Sequence, residues 1–235
     1  RYLIHNYFPP PDEPFLLNLA SQNSLIRQKS IEHCRKAIEL SSLLGCPFYS
    51  FHAGYAYDLP VDMLGDPIRQ AGLAVKDFTD SEEVYKLLTD SIRSLMGFSF
   101  HKGMKLLIEN HVCPCQGKQM ISNLLPMTKA EDLLRLVEDI DDSNFGILID
   151  LGHLKVSAAA LGFDRGEFIS LLSPYIGAFH LSDNDGQTDQ HLPFDRHAWF
   201  MPFIKEFPNQ PLTIELTRVG TEQIIQVRDM LVEYL

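Results

Sequence analysis

Short apolar stretches alternate with longer amphipathic stretches along almost the whole chain. The short stretches are rich in aliphatic, β-branched and aromatic residues and are nearly continuous in apolar character, which is typical of parallel strands covered by helices. They predict six strands, at Tyr2–Tyr7, Pro47–His52, Lys105–Glu109, Gly146–Asp150, Gly177–Leu181 and Leu212–Leu216.

The amphipathic stretches between these strands predict helices. They lie at Ser24–Leu44, Ser81–Phe98, a segment that begins near Thr128, Asp164–Ile176 and Gly220–Leu235. Thr128 followed by Glu131 has the spacing of a capping box, which favours a helix start there. A regular alternation of strand and helix without a linker or a repeat predicts one parallel α/β domain over residues 1–235.

Composition and charge narrow the classes of function. The chain has 235 residues, of which 45% are hydrophobic and 22% charged, as in an ordinary globular protein. It lacks the run of about 20 apolar residues that a membrane span needs, and Cys34, Cys46, Cys113 and Cys115 show no disulfide spacing, which indicates reduced thiols and a cytoplasmic location. A net charge of −11 disfavours nucleic acid and membrane surfaces as partners.

Every predicted strand ends in a residue that can bind a metal or transfer a proton. These residues are, in chain order, His5, His52, Glu109, Asp150 with His153 just beyond it, His180 and Glu215. In a (β/α)8 barrel the C-terminal ends of all strands surround one mouth, where the active site lies. A single histidine at a strand end more often has a structural role, but six such strand ends predict a shared metal site.

The predicted donors are imidazoles and carboxylates, with no thiolate. Such donors suit Zn²⁺, Mn²⁺, Co²⁺ or Fe²⁺ better than Ca²⁺, which prefers oxygen ligands alone. Glu109 and Glu215 form a carboxylate pair that can move protons to and from a substrate beside a polarised carbonyl group.

The order and spacing of the strand-end motifs resemble the xylose isomerase-like superfamily of barrels. That superfamily (AP endonuclease family 2) includes sugar and sugar-phosphate isomerases and epimerases and the endonuclease IV-type AP endonucleases. The motifs are Phe51-His52-Ala53-Gly54, Ile108-Glu109-Asn110, Ile149-Asp150-Leu151-Gly152-His153, His180-Leu181-Ser182-Asp183, Asp189-Gln190-His191 and Ile214-Glu215.

The resemblance implies a (β/α)8 TIM barrel and two sets of metal ligands. The set of the sugar epimerases, around one divalent ion, maps onto Glu109, Asp150, His180 and Glu215. The endonuclease IV-like set, which supports up to three ions, adds His5, His52, His153, Asp189 and His191. In that superfamily the His5 motif lies on the third strand, so the chain is expected to hold strands three to eight and to lack the first two βα units.

The function predicted from these residues is that of a divalent-metal-dependent sugar or sugar-phosphate isomerase or epimerase, with one to three ions of Zn²⁺ or Mn²⁺. Glu109, Glu215 and His153 are the predicted catalytic residues. Asp183, Asp185 and Arg218 are the predicted substrate ligands, although the two aspartates could equally build an Asx turn. His111 and Lys118, next to the site, could contact an anionic substrate, but a solvated loop is the expectation for both.

The alternative is a trinuclear phosphodiesterase of the AP endonuclease type that acts on abasic DNA. Binding of DNA phosphates requires lysine and arginine near the site, and residues 183–191 contain neither. A small carbohydrate is therefore the predicted partner, while nucleic acid, a homo-oligomer and a catalytically idle relative stay open as alternatives.

Overall fold

Six parallel strands form a single sheet in the computed structural model, which describes residues 3–56, 58, 60–63, 81–113 and 125–235. The strands are β1 (Ile4–His5), β2 (Phe48–His52), β3 (Lys105–Glu109), β4 (Phe145–Asp150), β5 (Ile176–Leu181) and β6 (Leu212–Ile214). Their order in the sheet is their order in the chain. All six predicted strands are present, and β1 and β6 are shorter than predicted because each pairs on one side only within the described residues.

Helices connect the strands and cover the outer face of the sheet. They are α1 (Ser24–Leu43), α2 (Ser81–Phe100), α3 (Ala130–Ile140), α4 (Leu151–Leu161), α5 (Arg165–Leu172), α6 (Met201–Ile204) and α7 (Thr221–Tyr234), with 3₁₀ turns at Val61–Met63 and Ser173–Tyr175. Among the residues described, no helix combines the length and the apolar character needed to cross a membrane.

Two expectations about the helices are wrong. The capping box does not form, because α3 begins at Ala130 after Lys129, which makes no capping hydrogen bond, and Thr128 is buried. The helix expected to reach Ile176 ends at Leu172 and gives way to the 3₁₀ turn Ser173–Tyr175, because Pro174 has no backbone N–H to continue the helical hydrogen bonds.

Helix α4 is absent from the prediction altogether. It begins directly after β4, and its buried residues lie on all sides rather than along one stripe, so the sequence carries no amphipathic period. Its first turn is capped by Asp150, whose Oδ1 accepts a hydrogen bond from the backbone N–H of His153 at 2.7 Å. The turn from β4 into α4 therefore holds both of these residues at the same end of the sheet.

The two faces of the sheet bury different side chains, because successive residues of a strand point to opposite sides. Alternate residues such as Ile108, Ile149 and Phe179 pack into the large core between the sheet and the helices. The residues between them form a small second cluster on the inner face, made of Phe48, Leu107, Leu148 and Ala178 with Leu3 against it.

One step further along each strand, the inner face becomes polar. Glu109 follows Leu107 on β3 with one residue between them, and Asp150 and His180 follow Leu148 and Ala178 in the same way. The small apolar cluster therefore forms the floor beneath a layer of ionisable side chains.

The sheet curls strongly toward its inner face. The rings of His5 on β1 and His180 on β5 lie 5.0 Å apart between centroids, although three strands separate β1 from β5 in the sheet. The described strands thus form a curled, six-stranded half-barrel with a TIM-barrel-like arrangement of helices. The expectation that two further βα units belong ahead of these strands stays a prediction.

Candidate metal centre

Glu109 lies at the centre of the polar layer and contacts four histidines from four different elements. Its Oε2 is 3.1 Å from His5 Nε2 and 3.6 Å from His52 Nε2, and its Oε1 is 3.6 Å from His153 Nδ1 and 3.5 Å from His180 Nδ1. The side chain is 1% exposed. Burial alone would raise the pKa of Glu109, but the surrounding imidazoles outweigh it and hold that pKa well below its usual value.

The main group of candidate ligands consists of Glu109, Asp150, His180 and Glu215, whose donor atoms all lie within 4.8 Å of one another. His180 Nδ1 is 2.8 Å from Glu215 Oε2 and 3.9 Å from Asp150 Oδ2. Burial alone would lower the pKa of His180, but Glu109 and the other carboxylates outweigh that effect and raise the pKa to about 10. Burial raises the pKa of Asp150 to about 6. An imidazolium thus lies among the carboxylates that would surround a cation.

The second group consists of His153 on α4 and two residues of the loop after β5, Asp189 and His191. Asp189 Oδ2 lies 3.2 Å from His153 Nε2 and 2.9 Å from His191 Nε2. Burial would raise the pKa of Asp189, but hydrogen bonds from both histidines lower it below its usual value. His191 has a φ of 48°, a conformation that costs a non-glycine residue on the order of 1–3 kcal/mol. Its carbonyl accepts a hydrogen bond from Thr217 N at 3.2 Å, which holds this strained backbone.

A third group, His5 with Glu109 and His180, shares two members with the main group. His5 Nδ1 lies 3.0 Å from Ser50 Oγ, which orients the ring so that Nε2 faces Glu109. Burial lowers the pKa of His5 to about 4, so its imidazole is neutral near pH 7. Neutral imidazole is the form of histidine that binds metals.

These residues fit one or more divalent cations. Asp150 Oδ2, Asp189 Oδ1 and His52 Nδ1 are buried and make no hydrogen bond in the described part of the chain. Such orphaned polar atoms are rare in native proteins and call for a ligand or an ion. Mixed imidazole and carboxylate donors match Zn²⁺ and Mn²⁺, and the short distances between the groups allow them to share ligands.

A family model described as xylose isomerase-like TIM barrel matches residues 3–229. The chain belongs to this family. Among curated proteins, the uncharacterised protein MJ1311 of Methanocaldococcus jannaschii is 28% identical over 179 residues. That match covers 75% of the chain and 51% of the relative, so the chain spans about half of that protein.

Solved structures of other proteins share this fold. A crystal structure of a D-tagatose 3-epimerase-like protein gives a TM-score of 0.72 at 23% identity, over 99% of the chain and 76% of its own length. The apo structure of 3-keto-D-glucoside 4-epimerase from E. coli gives 0.65 at 13% identity, over 94% and 76%. At these identities the likeness establishes the fold alone; the first structure is named as epimerase-like and the second as a sugar epimerase.

All nine ligands that the resemblance implied lie in this one cluster. Eight of them belong to the three groups, and His52 contacts Glu109. The predicted substrate ligands Asp183, Asp185 and Arg218 belong to none of the three groups of candidate metal ligands found in the described part of the chain. Asp183 Oδ1 accepts a hydrogen bond from Lys155 Nζ at 2.6 Å, and Asp185 caps a turn by accepting from the backbone of residues 187 and 188. Arg218 is exposed.

Asn110 and His111, which were not predicted to be site residues, lie beside the site. Asn110 is buried and hydrogen-bonded to the backbone of Asp150. His111 is also buried, so the expectation of a solvated loop is wrong, and its ring stacks on His52 with centroids 5.0 Å apart. Both directly follow Glu109, and their position at a strand end was the available signal. Cys115 and Lys118 lie outside the described residues.

Proposed function

We propose that the chain is a divalent-metal-dependent isomerase or epimerase of sugars or sugar phosphates. The observation that carries this proposal is the main group, in which two glutamates from distant strands approach the same histidine. His180 Nδ1 lies 3.5 Å from Glu109 and 2.8 Å from Glu215. The Glu215 side chain is 38% exposed and the Glu109 side chain only 1%, so the two carboxylates have different environments.

Glu109, Asp150, His180 and Glu215 would hold the ion, which when bound supplies Lewis-acid polarisation of substrate oxygens. Glu215 is accessible, so we assign to it the removal of the proton next to the substrate carbonyl. Glu109 is the second carboxylate and returns a proton that it takes from the His153 imidazolium, whose Nδ1 lies 3.6 Å from Glu109 Oε1, while Glu215 releases the proton it removed to solvent. His153 holds a substrate oxygen or contributes to a second ion through the second group.

The three predicted substrate ligands differ in whether they are free to contact a substrate. Asp183 accepts a hydrogen bond from Lys155, and Asp185 accepts one from the backbone of its own turn. Both therefore stabilise the loop that carries Asp189 and His191. Arg218 lies three residues beyond Glu215 and is exposed, which suits contact with a substrate carboxylate or phosphate. Sugar epimerase names among the structural relatives support a carbohydrate as the substrate class.

The test is solvent deuterium incorporation. Metal-free protein is reloaded with Mn²⁺ or Zn²⁺ and incubated in D₂O with ketohexoses and ketohexose phosphates, and the products are analysed by NMR. We expect one deuterium at the carbon next to the carbonyl, dependent on the ion and lost in Glu215→Gln. Glu233→Gln is the matched control and keeps the exchange, because Glu233 lies on α7 with its side chain 76% exposed and pairs there with Arg196. Absence of exchange with every substrate and both ions contradicts the proposal.

The second candidate is the trinuclear phosphodiesterase, which the second group favours. His153 joins that group to the main group, since its Nδ1 lies 3.6 Å from Glu109 Oε1 and its Nε2 3.2 Å from Asp189. Elemental analysis that finds three tightly bound ions per chain, together with cleavage of a duplex containing an abasic site, would establish this function instead. The net charge of −11 disfavours it.

A further inference from the structure

Asn110 lies between the main group and the second group and touches a member of each. Its Oδ1 accepts a hydrogen bond from the Asp150 N–H at 2.8 Å, and its Nδ2 donates to the Asp150 carbonyl at 3.1 Å. The last backbone pair between β3 and β4 is Glu109 with Leu148. The side-chain amide therefore continues the β3–β4 pairing by one step, beyond the point where the β3 backbone leaves the sheet.

The backbone carbonyl of the same residue contacts the second group. His153 Nδ1 lies 2.9 Å from Asn110 O, and since a carbonyl only accepts, Nδ1 carries the proton. Nε2 is then the atom that faces Asp189 Oδ2. A histidine that binds a metal usually donates its other ring N–H to such an acceptor, which fixes both the tautomer and the ring orientation.

The position of Asp150 depends less on Asn110 than the position of the His153 ring does. Asp150 is also paired with His180 of β5, and its Oδ1 is engaged by the His153 N–H, so it is held from two other directions. The Asn110 carbonyl lies on a segment that has left the sheet, where the N–H of the same peptide group, that of His111, donates to Met127 O at 3.1 Å. Loss of the side-chain amide should therefore displace this carbonyl, and with it the His153 ring, more than it displaces Asp150.

We propose that Asn110 is a positioning residue for His153, and that its amide sets the cation affinity of the second group while the main group stays largely unaffected. This inference rests on the proposed metal-binding function. The ring orientation of His153 is the element through which Asn110 acts, so Asn110 and His153 should behave as one unit.

The test is calorimetric titration of metal-free protein with Zn²⁺ or Mn²⁺. The ion of the second group is identified as the one lost in Asp189→Asn. Asn110→Ala is expected to weaken that ion by roughly 10–100-fold, the usual effect of removing such an outer partner. The main group should change by much less. In His153→Asn, the added Asn110→Ala change should cause no further loss.

The matched control is Ser99→Ala. Ser99 is equally buried, and its hydroxyl donates to the Met96 carbonyl within α2, away from the segment that follows β3. It should leave both affinities near those of the wild type. Wild-type affinity in Asn110→Ala overturns the proposal, as do losses that multiply with those of His153→Asn or an equal loss in Ser99→Ala.

A second measurement needs neither an ion nor a folded Asn110 variant. In ¹⁵N-labelled metal-free wild-type protein, the His153 Nδ1 proton should be protected from solvent exchange by its bond to the Asn110 carbonyl. An unprotected or absent Nδ1 proton overturns the proposal. A chain that shows this protection but binds no ion contradicts the proposed function and leaves the contact with Asn110 established, so the two failures are distinguishable.

Discussion

Replacement of Glu109 by glutamine is the change that most directly tests how the centre is stabilised. Glutamine keeps the shape of the side chain and removes its charge. Glu109 is 1% exposed and contacts four imidazoles, and its neighbours His153 and His180 have pKa values raised above the usual value of histidine. The substitution therefore removes a buried negative charge from a cluster that contains imidazolium groups.

The size of the effect follows from this burial. Removing one partner of a buried ion pair typically costs about 3–5 kcal/mol, because the remaining charge is left in a poorly solvated site. For a chain of this length each kcal/mol lowers the melting temperature by roughly 2–4 °C. Glu109→Gln in the metal-free protein should therefore melt roughly 6–20 °C below the wild type.

The measurement is urea and thermal unfolding of both metal-free proteins near pH 7. Glu82→Gln is the control, because Glu82 pairs with Arg135 at 2.8 Å but its side chain is 69% exposed, and exposed pairs contribute little. Saturation with Mn²⁺ or Zn²⁺ at about 100 times the dissociation constant should stabilise the wild type by about 2.7 kcal/mol, and the Glu109 variant much less. Equal stability of wild type and Glu109→Gln without metal would refute this account of the cluster.

Other changes probe separate parts of the chain. Glu215→Gln should lower deuterium incorporation by about 10²–10⁴-fold but reduce the free energy of unfolding less than Glu109→Gln does, because Glu215 is partly exposed. The pKa of His180 is raised from 6.5 to about 10 in the folded chain, so its stabilising contribution in metal-free protein is complete below pH 6.5 and lost as the pH rises through about 10. Urea titrations across that range should show the fall, and a constant free energy of unfolding would contradict it. Gly54→Ala should destabilise by more than about 1 kcal/mol, since Gly54 has a φ of 101° and a Cβ there would lie 2.4 Å from Asn18 Oδ1. Gly97→Ala, on open helix surface, should instead stabilise by about 0.5–1 kcal/mol in the same unfolding assay.

The strands and the convergence of their ends could be predicted from the sequence because both follow from local patterns and one topological rule. A buried parallel strand needs apolar residues on both faces, so β3 is found at its predicted bounds, Lys105–Glu109. Once the strands are parallel, their C-terminal residues must share one edge, and the curl brings His5 to His180.

The features that could not be predicted depend on contacts that produce no repeating hydrophobic pattern in the sequence. Helix α4 is buried on all sides, so it lacks the stripe by which helices are recognised. The capping box failed because α3 begins at Ala130, so that Lys129 and not the buried Thr128 occupies the capping position. The contacts of Asn110 are pairwise and cross between strands, and no spacing along one strand reveals them.

The centre raises the question of how so many ionisable groups can be buried together on the inner face of the sheet. In the metal-free chain, bound protons balance the charges. Burial favours the neutral forms of His5 and Asp150, while Glu109 and the other carboxylates keep His180 protonated. The imidazolium groups then provide the positive charge that a divalent ion would provide. A cation that binds the main group must displace the proton of His180, so metal binding and proton release are coupled. The arrangement that stabilises the metal-free fold is therefore in direct competition with the ion, and the affinity for the ion should rise with pH across the range in which His180 loses its proton.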